Sequence, residues 1–131
     1  MAITDQIAVS KTISPAQHAV LDYGVAATFF ALGMRYRNRN RAASTLAFAN
    51  GGMVLGMSML TNYPGGVWPT ISFKTHGTMD LVQAALAGFG PLLFGFADEP
   101  EAKTFYAQAA SELGVVANTD WNADAARGIA A

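Results

Sequence analysis

The chain has 131 residues, 52% of them hydrophobic and 13% charged, with a net charge of −1 and no cysteine. The near-neutral balance excludes a basic nucleic-acid footprint, and the missing cysteines exclude disulfides and thiolate metal sites. Charge at about half the usual share, in a chain this apolar, points to a single domain of membrane type.

Residues 1–14 read as a polar lead-in. Met1 to Val9 carries Asp5 and no Lys or Arg, so it lacks the basic start of a signal peptide. The first apolar segment is therefore expected to be retained as a helix. Ser14-Pro15 is a helix-start signal, with serine as N-cap and proline at the first helical position. It predicts a first helix over about 15–36, uncharged from Tyr23 to Met34. Four arginines follow, at Arg35, Arg37, Arg39 and Arg41. They read as a cytoplasmic loop under the positive-inside rule, against the plainer reading of a solvated turn.

A second helix is expected over about 42–62, uncharged and long enough to cross a bilayer. It carries Gly52-x-x-x-Gly56, a small-residue face suited to close helix approach. The turn from Tyr63 to Pro69 holds Tyr63 and Trp68, residue types that suit a membrane–water interface. A third helix is expected over about 72–96, kinked by Pro91. A fourth is expected over about 100–118, started by Pro100 and Glu101. It is the least apolar, with Lys103, Gln108 and Glu112, so it either spans behind its neighbours or lies on the surface as an amphipathic helix. Residues 122–131 are a polar, alanine-rich tail, preceded by Trp121 as an expected interfacial anchor.

A polar pair recurs inside these helices: His18-Ala-Val-Leu-Asp22 and His76-Gly-Thr-Met-Asp80. Its i,i+4 spacing puts histidine and aspartate on one helix face, one turn apart. The two pairs stand 58 positions apart, and the surroundings repeat at that offset. Ile13-Ser14 matches Ile71-Ser72, Ala26-Ala27 matches Ala84-Ala85, and Leu55-Gly56 matches Leu113-Gly114. Thr61-Asn62-Tyr63 matches Thr119-Asp120-Trp121. This register predicts an all-α membrane domain over 15–121, with four transmembrane helices built as two tandem-duplicated hairpins. The repeats are about 13–63 and 71–121, related by a parallel pseudo-two-fold axis. With the Arg35–Arg41 loop cytoplasmic, both termini and both polar pairs fall on the outer side.

The polar pairs, Gly90-Pro91-Leu92-Leu93-Phe94-Gly95-Phe96-Ala97-Asp98 and the exits Thr61-Asn62-Tyr63 and Thr119-Asp120-Trp121 together resemble the SPW-repeat family of small bacterial integral membrane proteins. The resemblance covers roughly residues 13–121. It departs at the namesake motif, where Gly90-Pro91-Leu92 stands for Ser-Pro-Trp and the first copy, Leu32-Gly33-Met34, has no proline. It implies a four-helix fold in the bacterial inner membrane and no particular activity.

Ionisable groups inside membrane helices normally face the bundle interior and have partners. The helical rise puts Asp80 roughly 12 Å, Glu112 roughly 9 Å and His76 about 6 Å from one membrane face. His18, Asp22, His76, Asp80 and Glu112 thus converge, with Val54 where the first copy would carry the counterpart of Glu112. A structural role would either pair His18 with Asp80 and His76 with Asp22 across the axis as a clasp, or use the pairs as caps for the helix starts. A divalent metal can take both histidines and up to three of the carboxylates. A haem or other tetrapyrrole can take His18 and His76 as axial ligands. Proton or ion movement along Glu112, Asp80 and His76 would need deeper polar stations, for which Asn50 and Gln108 are the candidates, both equally suited to interhelical hydrogen bonding. No nucleophile motif, phosphate loop or dinucleotide fingerprint supports an enzyme. The expected role is a non-enzymatic accessory or assembly subunit, partnered by the lipid bilayer and by other membrane subunits or further copies of itself.

Overall fold

The computed structural model describes residues 12–123. Met1 to Val9, read as lacking a signal-peptide start, and most of the expected lead-in and tail lie outside the described residues. Four helices follow in order: α1 (Pro15–Tyr36), α2 (Arg41–Leu60), α3 (Phe73–Leu93) and α4 (Ala102–Asn118). No strand occurs among the described residues. Each helix packs chiefly on its neighbour in sequence, α1 on α2 and α3 on α4.

Local chemistry accounts for the boundaries. Ser14 and Gln17 form a reciprocal capping box at the start of α1, with Pro15 in its first turn. Asn40 caps α2 by accepting from the Ala43 amide at 3.0 Å, so α2 begins at Arg41 rather than Ala42. Ser72 caps α3 by accepting from the Thr75 amide. Helix α2 stops at Leu60, two residues short of expectation, because Thr61 turns extended and bridges to Ile71. Helix α4 ends the same way at Asn118, where Thr119 bridges to Ile13.

Pro91 does not bend the far half of a long helix. It sits in the last turn of α3, which ends at Leu93 rather than Phe96. The Phe96 amide donates to the Pro91 carbonyl and the Gly95 amide to the Leu92 carbonyl, a Schellman closure with Gly95 at φ +78°. A Cβ at that φ is strained, so Gly95→Ala is expected to cost about 1–2 kcal/mol. Thermal unfolding would register it, and an unchanged midpoint would refute the closure's contribution. Pro100 and Glu101 form a turn before α4 instead of its first residues. Buried Glu101 reaches back to Asn40 at 3.4 Å and Arg39 at 3.8 Å.

The interior divides into two apolar clusters. Near the arginine loop, Phe29, Tyr36, Ala43, Ala47, Phe96, Ala102 and Phe105 pack together. At the opposite end, Ala19, Tyr63, Phe73, Val116 and Trp121 pack together. Close approach of α1 and α2 is made at Gly51, where a Cβ would sit 3.2 Å from the Ala26 carbonyl. Among the described residues, a Cβ added at Gly52 or Gly56 would meet nothing within 4 Å.

By length and composition, one helix among the described residues, Arg41–Leu60, is long and apolar enough to cross a membrane, with a mean hydropathy of 1.2. Helix α4 has only 17 residues. Helices α1 and α3 have the length, but each carries a polar inner face that lowers its average: His18 and Asp22 on one, His76, Asp80 and Gln83 on the other.

Candidate functional site

The two polar pairs come together near the start of α1 and α3. His18 lies 3.4 Å from Asp22 within α1 and 3.1 Å from Asp80 on α3. His76 lies 3.2 Å from Asp80 within α3 and 3.2 Å from Asp22 on α1. Both crossed pairs of the clasp are thus formed, alongside the two within helices. Each aspartate turns one oxygen to each histidine, always towards Nε2. The result is a closed quartet joining α1 to α3.

The other imidazole nitrogens have matching partners. His18 Nδ1 lies 3.0 Å from Thr119 Oγ1, and His76 Nδ1 lies 2.7 Å from Thr61 Oγ1. Both threonines are brought there by the extended residues after α2 and α4. Backbone bonds link Ile71 to Leu60 and Asn62, and Ile13 to Asn118 and Asp120. Each threonine hydroxyl donates to the carbonyl four residues back, Met57 or Val115, at 2.6 Å. Its single proton is thereby committed, so it accepts from the imidazole, and Nδ1–H is the donor on both histidines.

Aromatic rings close this end. Trp121 and Phe73 pack with centroids 4.7 Å apart at 39°, and His18 meets Phe73 at 5.4 Å and Trp121 at 5.1 Å in edge-to-face contacts. Tyr63 and Trp121 are buried rather than interfacial, because their rings cover the histidines. Trp68 alone of the expected interfacial residues is exposed. The Tyr63 hydroxyl donates to Asp22 at 2.7 Å. Burial and the Asp22 carboxylate raise its pKa above the ordinary tyrosine value, so it remains a donor. The Trp121 indole instead donates to the Val116 carbonyl at 2.9 Å, leaving Asp80 without an equivalent bond.

On its other side the quartet faces a cavity of about 280 Å³ between the four helices, walled by Leu21, Val25, Val54, Met57 and Val115. Glu112 lines this cavity but forms no ion pair with either histidine; Gln108 donates to it at 3.0 Å along α4. Of the expected five-residue metal cluster, His18, His76 and Asp80 gather their ligand atoms, with Asp22 facing the histidines and Glu112 beside them. Gln108 bonds within its own helix rather than between helices. Asn50 does bond across, accepting from Gln83 of α3, a residue outside the recurring polar pairs.

The two imidazoles touch edge to face, with centroids 5.2 Å apart at 83°. Direct ring contact leaves no plane for a macrocycle between them, so the arrangement does not fit axial ligation of a haem by His18 and His76. His18, His76 and Asp80 do offer ligand atoms within 4.8 Å of one another, all buried. Comparison with known proteins finds no matching family, no matching curated protein and no matching solved structure.

Proposed function

We propose that this chain is a small integral membrane protein of four spanning helices, built as two tandem hairpins and serving as a non-enzymatic accessory or assembly subunit. The observation that carries the membrane reading is a stripe on α3. Met79, Val82, Leu86, Phe89 and Leu93 recur every three or four residues and are between 36% and 71% exposed. Scattered exposed apolar residues are ordinary on soluble proteins, but a continuous helical stripe of large ones marks a lipid or protein contact. Val20 on α1, Met53 on α2 and Leu113 on α4 extend exposed apolar surface to every helix.

The tandem-hairpin reading is supported by matched contacts at the 58-residue offset. The backbone pairing of Ile13 with Thr119 has its counterpart in Ile71 with Thr61. The threonine bonds to His18 and His76 form a second such pair. The accessory role is supported by where the polar groups point. They bond one another across α1 and α3, a clasp holding two halves together. In this reading the chain belongs with the SPW-repeat proteins of the bacterial inner membrane, with the arginine loop cytoplasmic and both termini outside. Its partners are other membrane subunits or further copies of itself.

Fractionation tests this. The chain is expected to stay with membranes through a carbonate wash and to need detergent for release. A cysteine replacing Asn38 is expected to be labelled only after permeabilisation. Release without detergent would overturn the membrane reading, and labelling of intact cells would overturn the orientation. Native electrophoresis of a gentle extract is expected to find the chain in an assembly larger than itself; a monomer would overturn the subunit role.

A further inference from the structure

We propose that His18, His76 and Asp80, with Asp22 facing both imidazoles, form a divalent transition-metal site, with zinc the ion its donor set fits best and Thr61 and Thr119 orienting the imidazoles. This rests on the clasp reading of the same residues and says what the clasp closes around.

The tautomers are the first observation. With both Nδ1 atoms donating to threonine, a neutral imidazole has its lone pair on Nε2. Both Nε2 atoms face the same two carboxylates. Metal-binding histidines are held this way, one nitrogen donating to a fixed acceptor while the other ligates. The second observation is His76 Nε2 itself. It is buried, with an oxygen of each aspartate at 3.2 Å, yet neither oxygen satisfies hydrogen-bond geometry. A buried nitrogen with two carboxylate oxygens near it and no hydrogen bond to either is free to serve as a ligand to a shared centre.

Spacing and charge agree. Four N and O ligands at about 2.0 Å around a tetrahedral zinc ion stand about 3.3 Å from one another. His18 and His76 Nε2 stand 3.1 and 3.2 Å from Asp80 oxygens, and one ligand atom from each of these three residues lies within 4.8 Å of the others, so three donors are gathered for such an ion. Two carboxylates neutralise a dication, so the filled site would bury no net charge among the apolar rings of Tyr63, Phe73 and Trp121. Two imidazoles with two carboxylates suit zinc, or iron and manganese less closely; ions wanting an all-oxygen shell or thiolates are poorly served. The cavity beside Glu112 gives an ion its approach.

The test uses the full chain, purified in detergent with any affinity tag removed, so that its two histidines are the only ones present. After chelator treatment it is titrated with zinc chloride, and metal content is measured by elemental analysis. One ion per chain is expected, and cobalt substitution is expected to give the intense visible bands of a tetrahedral ion. His18→Ala and His76→Ala are each expected to weaken zinc binding by at least about 100-fold, and Thr61→Val or Thr119→Val by about 10–100-fold with stoichiometry kept. Should a histidine variant fail to fold, the threonine pair still decides the matter. Glu112→Gln, outside the quartet, is expected to leave zinc binding intact. Absent stoichiometric zinc, or zinc binding that survives in the His18→Ala/His76→Ala double variant, would overturn the metal site. If zinc fails to bind while Asp80→Ala still unfolds the chain readily, the clasp stands without the metal. If zinc binds to a chain released without detergent, the metal site stands without the membrane.

Discussion

Replacing Asp80 with alanine is expected to be among the most damaging single changes this chain can undergo, at about 3–5 kcal/mol. Asp80 lies 3.1 Å from His18 and 3.2 Å from His76, one contact reaching α1 and the other closing a turn of α3. Without it, two touching imidazoles share the single carboxylate of Asp22. Both cannot then be charge-balanced, and each buried Nε2 keeps one Asp22 oxygen in place of contacts to two carboxylates. Asp80→Asn keeps the shape and one acceptor oxygen, so it should cost distinctly less. A cycle of Asp22→Ala, Asp80→Ala and the double variant, followed by unfolding in detergent, measures the coupling. The two aspartates face the same two nitrogens, so strong non-additivity is expected. A loss within about 0.5 kcal/mol for Asp80→Ala, as for an exposed side chain, would remove the quartet from any account of stability.

Trp121→Ala is expected to be comparably severe, at about 3–5 kcal/mol, the usual range for truncating a buried large aromatic. Its indole packs on Phe73, meets His18 edge to face and anchors the chain beyond α4 through the Val116 carbonyl. Loss of this ring would open the quartet from the aromatic side and free Thr119, two residues earlier, from its place against His18. Trp121→Phe keeps a ring over the histidine and loses only the N–H, so about 1–3 kcal/mol is expected. Thermal unfolding of the two variants side by side separates the covering ring from the hydrogen bond. Equal losses would assign the effect to the hydrogen bond alone.

The helices were legible because their signals are local. Ser14-Pro15 and Ser72 announce starts that the structure keeps within one residue. The i,i+4 spacing of each polar pair fixed a shared helix face, and the repeat register brought the two faces together. What lay beyond reach depended on segments whose direction no periodicity sets. Thr61 and Thr119 read as helix exits, and only their extended pairing with Ile71 and Ile13 turns them towards the histidines. Tyr63 and Trp121 are the residue types of a membrane interface, and nothing in their own neighbourhood says that they cover a buried imidazole. The end of α3 differs from expectation because Pro91 signals a kink, whereas Gly95, four residues on, closes the helix through its positive φ. Hydropathy averaged along α1 and α3 blends a polar inner face with an apolar outer one, so composition alone marks only α2 as a span.

The partners of His18 carry a consequence for the order of events as the chain is made. Its two ring nitrogens bond residues 62 and 101 positions further along. When α1 has just formed, neither partner exists, and Asp22 alone attends the imidazole. The first helix must wait, with a half-satisfied polar group on its inner face, until nearly the last residue of the domain has been synthesised. His76 waits only for Asp80, one helical turn on: Thr61 and Asp22 both precede it. Assembly is therefore lopsided in time although the finished contacts match. The second histidine docks on arrival, and the first is completed only when the segment after α4 comes back to it. Closing so long a loop is slow relative to helix formation, which makes that return the natural last step of folding.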